Sequence, residues 1–340
     1  MTKQFLTLGL SLLMMIWASV GYAQNEQNTI NVLTTRSYGV DKDLFSRFEK
    51  ESGIVVNVVE GKLEELVDKI KSGEDADLLF ITDGGLLSKA KSAGVFQPVD
   101  SAIIMENIPG ELRDKDNMWT ALSRRARVIV YSKDRVKTQD LSTYADLADS
   151  RWKGKVAARP QALYDQSLLA ALIFLTDDEG KSTEWVKGVV ANFARPPKGN
   201  DRQQVKDIAA GVADVALVNT YYLGQMRYSK DAEERDAVAK IGVLFPDQKG
   251  NGTHVNIIGA GLAAQAKNKK EATKLLEFLT SPEAQETMSK ATYFYPANPK
   301  AKKHEMLDEF GPFKAQNIDF KILYDNHKKA KDIMTGNGWD

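Results

Sequence analysis

The stretch NTINVLTTRSYGVDKDLFSRFEKESGIVVNVVEGKLEELVDKIKSGEDADLLFIT, residues 28–82, alternates two periodicities. NTINVLTT (28–35), IVVNVVEG (54–61) and ADLLFIT (76–82) are β-branched, apolar runs that read as strands. DKDLFSRFEKESG (41–53) and KLEELVDKIKSG (62–73) carry apolar residues at helical spacing, and Gly53 suits the C-cap of the first. Strand and helix in alternation mean an α/β fold, with a mostly parallel sheet flanked by helices.

Downstream, TALSRRARVIVYSKDRV (120–136) contains a clear strand, RVIVYS, after which the alternation restarts. A helix is expected at LSTYADLADSRW (141–152), a strand at KVAA (155–158), and a long helix at QSLLAALIFLTDDEG (166–180). The helix DRQQVKDIAAG (201–211) leads into the strand ADVALVN (213–219). KGNGTH (249–254) is a turn, and the strand VNIIGAG (255–261) is expected to return to the first unit. The restart predicts two lobes, residues 24–124 with 254–300 and residues 125–253 with 301–340, enclosing a cleft. Hinged closure on a ligand is the behaviour of the two-lobed (type II) periplasmic binding protein fold.

Composition narrows the function. Residues 1–23, MTKQFLTLGLSLLMMIWASVGYA, have one lysine, an apolar run and small residues at Gly21 and Ala23, as in a cleaved secretory signal, and no later run has the roughly 20 apolar residues of a membrane span. Cleavage takes Lys3 from 46 basic groups balanced by 46 acidic ones, leaving 317 residues with net charge −1. That balance argues against nucleic acid as a partner. The absence of cysteine removes thiolate metal sites, cysteine catalysis and a lipidated cysteine, and a soluble monomer in a bacterial periplasm is expected.

Several motifs have structural readings. Gly259, Gly261 and Ala264 match a dinucleotide fingerprint in spacing, but no second strand with an acidic end follows. Asn251-Gly252 reads as a turn, and Ser281-Pro282 as a helix start. His254, His304 and His327 are not at ligand spacing, and HExxH, GxSxG, P-loop and EF-hand patterns are absent. An enzyme is therefore not expected.

Tyrosines remain. Tyr38, Tyr164 and the pair Tyr221-Tyr222 each fall just beyond a strand's carboxyl end, where open α/β sheets bind ligands. One such tyrosine alone would more often be packing; four at equivalent places form a candidate cluster. The pair opens a helix, YYLGQMRY, whose N-terminus favours a phenolate. Phenolate oxygen is a hard anionic donor, and ionising several near neutral pH requires a strong cation, for which ferric iron is hard and highly charged enough. Three phenolates neutralise Fe(III), and a fourth leaves −1 for an arginine to balance, with Arg127 the first candidate. A small organic or anionic solute bound by stacking is the competing reading.

TTRSYGVDKDLF (34–45), ADLLFITDGGLLSKAKSAGVFQPV (76–99), RRARVIVYSKD (124–134), YDQSLLAAL (164–172), VALVNTYYLGQM (215–226) and GAGLAAQAKNKKEATKLLEFLTSPEAQ (259–285) together resemble the periplasmic ferric-ion-binding proteins of ABC iron-uptake transporters. The resemblance implies a clamp in which Tyr221, Tyr222 and Tyr164 hold iron from one lobe and Tyr38, as in the tyrosine-rich branch, adds from the other. It implies water or an exogenous anion completing the shell, and delivery to an inner-membrane ABC permease. Ser37 stands where some members have histidine, so a histidine ligand there is excluded.

Overall fold

The computed structural model describes residues 28–36, 38–160 and 163–339; the expected signal at 1–23 and Ser37 lie outside them. The strands are β1 (Thr29–Thr34), β2 (Val55–Glu60), β3 (Leu78–Ile81), β4 (Phe96–Gln97), β5 (Thr120–Ser132), β6 (Val156–Ala157), β7 (Val215–Asn219), β8 (Ile241–Leu244), β9 (Val255–Ala263) and β10 (Tyr295–Pro296). They join in the order β2-β1-β3-β9-β5-β7-β6, with β4 beside β9 and both β8 and β10 beside β5.

The expected parallel pairing holds for β2-β1-β3 and for β6-β7. Between these blocks β9 and β5 run antiparallel to their neighbours, which makes the sheet mixed. They do so because they are the crossing strands. β5 has 13 residues and spans roughly 40 Å at about 3.3 Å per residue. Its first half, up to Ala126, pairs with β9, and its second half, from Arg127, pairs with β7 and β8. At the change of partner the Arg127 N–H donates to the His254 carbonyl at 2.9 Å.

Each half buries its own apolar face. Ile30, Val32, Leu44, Phe48, Phe80 and Leu275 form one core, and Val128, Val130, Ala216, Val218, Leu223 and Met226 another. A third core continues from Leu79 and Leu87 through Ile129 to Leu168 and Leu217. The helix Phe320–Gly336, not anticipated from sequence, packs on both the helix Gly84–Ser92 and the helix Leu163–Thr176.

Two helix expectations change. LSTYADLADSRW folds as 3₁₀ turns, Ala145–Ala148 and Ser150–Trp152. Asp146 accepts from the Ser142 and Thr143 N–H groups at 2.6 and 2.8 Å, and the buried Tyr144 hydroxyl donates to the Arg127 carbonyl, so side chains take the bonds a helix would need. The long helix ends at Thr176, and Asp178 caps a new one, Glu179–Ala191, by accepting from the Lys181 N–H at 3.1 Å.

Gly259 and Gly261 lie inside β9, not in a turn after a strand. A Cβ on Gly259 would sit 2.6 Å from the Thr120 carbonyl oxygen, and one on Gly261 would sit 2.3 Å from that of Met118. These glycines let β9 pass close to β5, which disposes of the dinucleotide reading. Gly261→Ala should therefore lower stability by about 1–3 kcal/mol, read as an earlier urea midpoint, whereas the same change at open Gly110 should leave it unmoved.

Candidate metal-binding site

The four tyrosines meet. Tyr38 is the N-cap residue of the helix Gly39–Ser52, in extended backbone. Tyr164 is in the first turn of the helix Leu163–Thr176, and Tyr221 and Tyr222 are in the first turn of the helix Thr220–Arg227, which follows β7 without a loop. The Tyr221 hydroxyl donates to that of Tyr164 at 3.3 Å, and the Tyr221 and Tyr222 rings lie 4.2 Å apart. Phe294 joins them, 4.6 Å from Tyr221 and 6.2 Å from Tyr38. Three helix N-termini thus converge on the phenols, and each favours negative charge there.

Burial opposes ionisation. It pushes the Tyr38 phenol above its ordinary value, with Arg36 pulling the other way and Tyr164 adding to the rise. Tyr221 is raised strongly, by burial first and then by Tyr164 and Tyr222. Tyr222 is raised by burial, with its hydrogen bond to Tyr221 pulling the other way. Phenols so close cannot ionise together in isolation, because each phenolate disfavours the next. A multivalent cation reverses this by replacing the protons. Among the described residues no His, Asp or Glu group could hold a metal ion, so phenol oxygens are the candidate donors.

Behind the phenols lies a buried ionic network. Arg127 donates to Asp165 and to Asp201, each at 2.6 Å, and Arg159 donates to Asp201 at 2.7 Å. Asp201 also accepts from the Asn219 N–H at 2.8 Å, which fixes the start of the Tyr221-Tyr222 helix. Arg127 is thus engaged by two carboxylates. The guanidiniums that face these four phenol rings are those of Arg125 and Arg159, 5.1 and 5.3 Å from the centre of Tyr164, and of Arg36, 5.1 Å from that of Tyr38. Sequence reasoning missed these three. The two-residue period of β5 places Arg125 on the same face as Arg127, a signal that was there to be used.

His254 is fully enclosed at the crossing. Its Nε2 hydrogen-bonds with Ser167 Oγ at 2.9 Å and its Nδ1 with Gln316 Oε1 at 3.0 Å, so both ring nitrogens are taken. Burial pulls its pKa down to about 4, which keeps the ring neutral.

A model of the bacterial extracellular solute-binding protein family matches residues 74–321. The chain belongs to that family. The matched part of this solute-binding protein includes Tyr164, Tyr221 and Tyr222, while Tyr38 precedes it. The solute-binding protein is 40% identical over 326 residues to iron uptake protein A1 of Synechocystis sp., spanning 95% of this chain and 90% of that protein. Its structure resembles that of Trichodesmium IdiA (FutA) in complex with iron and citrate, with a TM-score of 0.87 and 40% identity over 92% of this chain and 100% of that one. It also resembles the ferric binding protein of Campylobacter jejuni, with a TM-score of 0.83 and 34% identity over 91% and 99% of the two chains. The fold is the two-lobed periplasmic-binding-protein fold of these structures.

Removing Asp201 leaves Arg127 with one carboxylate and Arg159 with none. Asp201→Ala should cost about 3–5 kcal/mol, the usual penalty for breaking a buried pair, measured by urea denaturation; a loss under about 1 kcal/mol would mean that solvent reaches the network.

Proposed function

We propose that this protein captures ferric iron with the phenolates of Tyr38, Tyr164, Tyr221 and Tyr222 and hands it to an inner-membrane ABC permease. The observation that carries the reading is the convergence of four phenols, from three helix N-termini, on one partly buried point. Fe(III) is a hard cation suited to anionic oxygen, and its charge offsets phenolates that cannot otherwise coexist. The names of the relatives, an iron uptake protein and a ferric binding protein, support the same cargo. Water or a small anion completes the shell, with Arg125, which lies over Tyr164 and outside the Arg127-Asp165-Asp201-Arg159 network, placed to balance residual charge. Arg127 acts from behind, holding Asp165 and Asp201 in place.

The lobes take residues 24–124 with 254–300 and residues 125–253 with 301–340. The partner change of β5 next to the start of β9 is the flexible seam. Tyr38 on one side and the other three on the opposite side make iron the closing contact. The protein works as a monomer in the periplasm and as a carrier, not a catalyst. The nucleophile–base pair Ser167–His254 faces a cavity of about 10 Å³, room for one water and no substrate.

Phenolate-to-iron charge transfer absorbs in the visible, so adding ferric citrate to the metal-free protein should produce colour. Tyr221→Phe with Tyr222→Phe should abolish both colour and tight binding, and Tyr38→Phe should weaken binding less, since three phenols remain. A colourless wild type, or a double variant that binds normally, contradicts the assignment.

Iron displaces a phenolic proton at each coordinated tyrosine whose pKa burial has raised, so affinity should rise with pH and fall as pH drops. Competition against a chelator of known pH dependence measures the slope. An affinity that is flat between pH 6 and 8, by competition titration, would show that protons are not released.

A further inference from the structure

Successive residues on a strand face opposite sides. Arg125 is over Tyr164, so Arg124 lies on the other face of β5, paired in register with Tyr295 of β10. There it lines an open cavity of about 590 Å³, within the range of small-molecule sites. Two polar atoms in this wall have no partner: Arg124 Nε and the hydroxyl of Tyr295, a residue only 4% exposed. Buried polar groups are nearly always hydrogen-bonded, so two orphans on one wall mark a vacancy in the bonding scheme.

An unused Nε is shared by Arg127 and Arg159, and what sets Arg124 apart is the lack of a carboxylate. Arg127 and Arg159 each have a carboxylate, which raises their pKa. No ion pair holds Arg124 among the described residues, and burial lowers its pKa, with Tyr295 and Glu111 acting the other way. A guanidinium at a cavity wall with no carboxylate of its own can take one through two parallel hydrogen bonds. Lys302 and Lys303 line the same cavity, as do Glu305 and Asp308. Asp308 is held by Lys303 at 2.9 Å, which leaves Lys302 as the second cationic contact and makes the lining only mildly positive. Such a lining suits an extended ligand with two separated single charges better than a compact dianion.

We propose that this cavity is a second binding site, for a small dicarboxylate, in which one carboxylate is bound by Arg124 and Tyr295 and the other by Lys302. The site is separate from the phenols, and its test in the metal-free protein does not depend on what they bind.

Isothermal titration of the metal-free protein with succinate, acetate and inorganic phosphate tests it. Saturable succinate binding is expected, with acetate at least tenfold weaker. Arg124→Gln should weaken succinate at least tenfold, and Lys302→Ala should bring succinate down to the acetate level. Tyr295→Phe should weaken both carboxylates, and Tyr221→Phe with Tyr222→Phe should leave succinate binding unchanged. If Arg124→Gln fails to fold, the surface change Lys302→Ala carries the test alone. Absence of saturable succinate binding, phosphate binding without succinate, or an Arg124→Gln variant that binds like the wild type overturns the proposal.

Discussion

Phenols packed out of water resist ionisation, and each one that ionises makes the next harder. That constraint governs this site. Tyr38, Tyr221 and Tyr222 all have pKa values pushed up by burial, so the metal-free cluster is a set of neutral, hydrogen-bonded hydroxyls such as the Tyr221-to-Tyr164 bond of 3.3 Å. On the proposed reading, a cation of high charge would convert the same cluster into a ligand set, and a weakly charged one would not offset the desolvation. Selectivity for a hard trivalent ion then follows from the burial as much as from the oxygen donors.

Holding the phenols in place falls to charges that are already compensated. Arg127, Asp165, Asp201 and Arg159 pair among themselves, so they position β5, the Tyr164 helix and the Tyr221-Tyr222 helix while adding no net charge to the site. β5 serves both halves of the molecule, and the partner change at Ala126 and Arg127 sits directly beside that network. The helix Phe320–Gly336 packs across both halves as well. Changes at the phenols are therefore mechanically close to the strand crossing on which the proposed closure would turn.

The alternation of residues 28–82 and the tyrosines beyond strand ends were legible because both are local signals: hydrophobic period, and the rule that ligands meet the carboxyl ends of strands. What stayed hidden is long-range. Arg127 stands out in the sequence as an arginine to balance the phenolates, but the carboxylates that engage it lie 38 and 74 residues away, and no spacing announces them. Arg125 and Arg159 were missed although strand parity favoured the first. The 3₁₀ turns after Leu141 escaped because Asp146 and Tyr144 hydrogen-bond to the backbone in ways that a helical pattern of apolar residues does not reveal. Gly259 and Gly261 match a fingerprint in spacing, which the missing second strand already argues against, and the carbonyls of Thr120 and Met118 beside them give the reason for glycine.

The central claim, that iron is held by ionised tyrosines, is tested most directly by resonance Raman spectroscopy of the ferric protein excited within its visible band. Phenolate ring modes should be enhanced and should shift when the protein is grown with ring-deuterated tyrosine. Iron bound with no enhanced tyrosine modes, or with modes that do not respond to the label, would contradict the account.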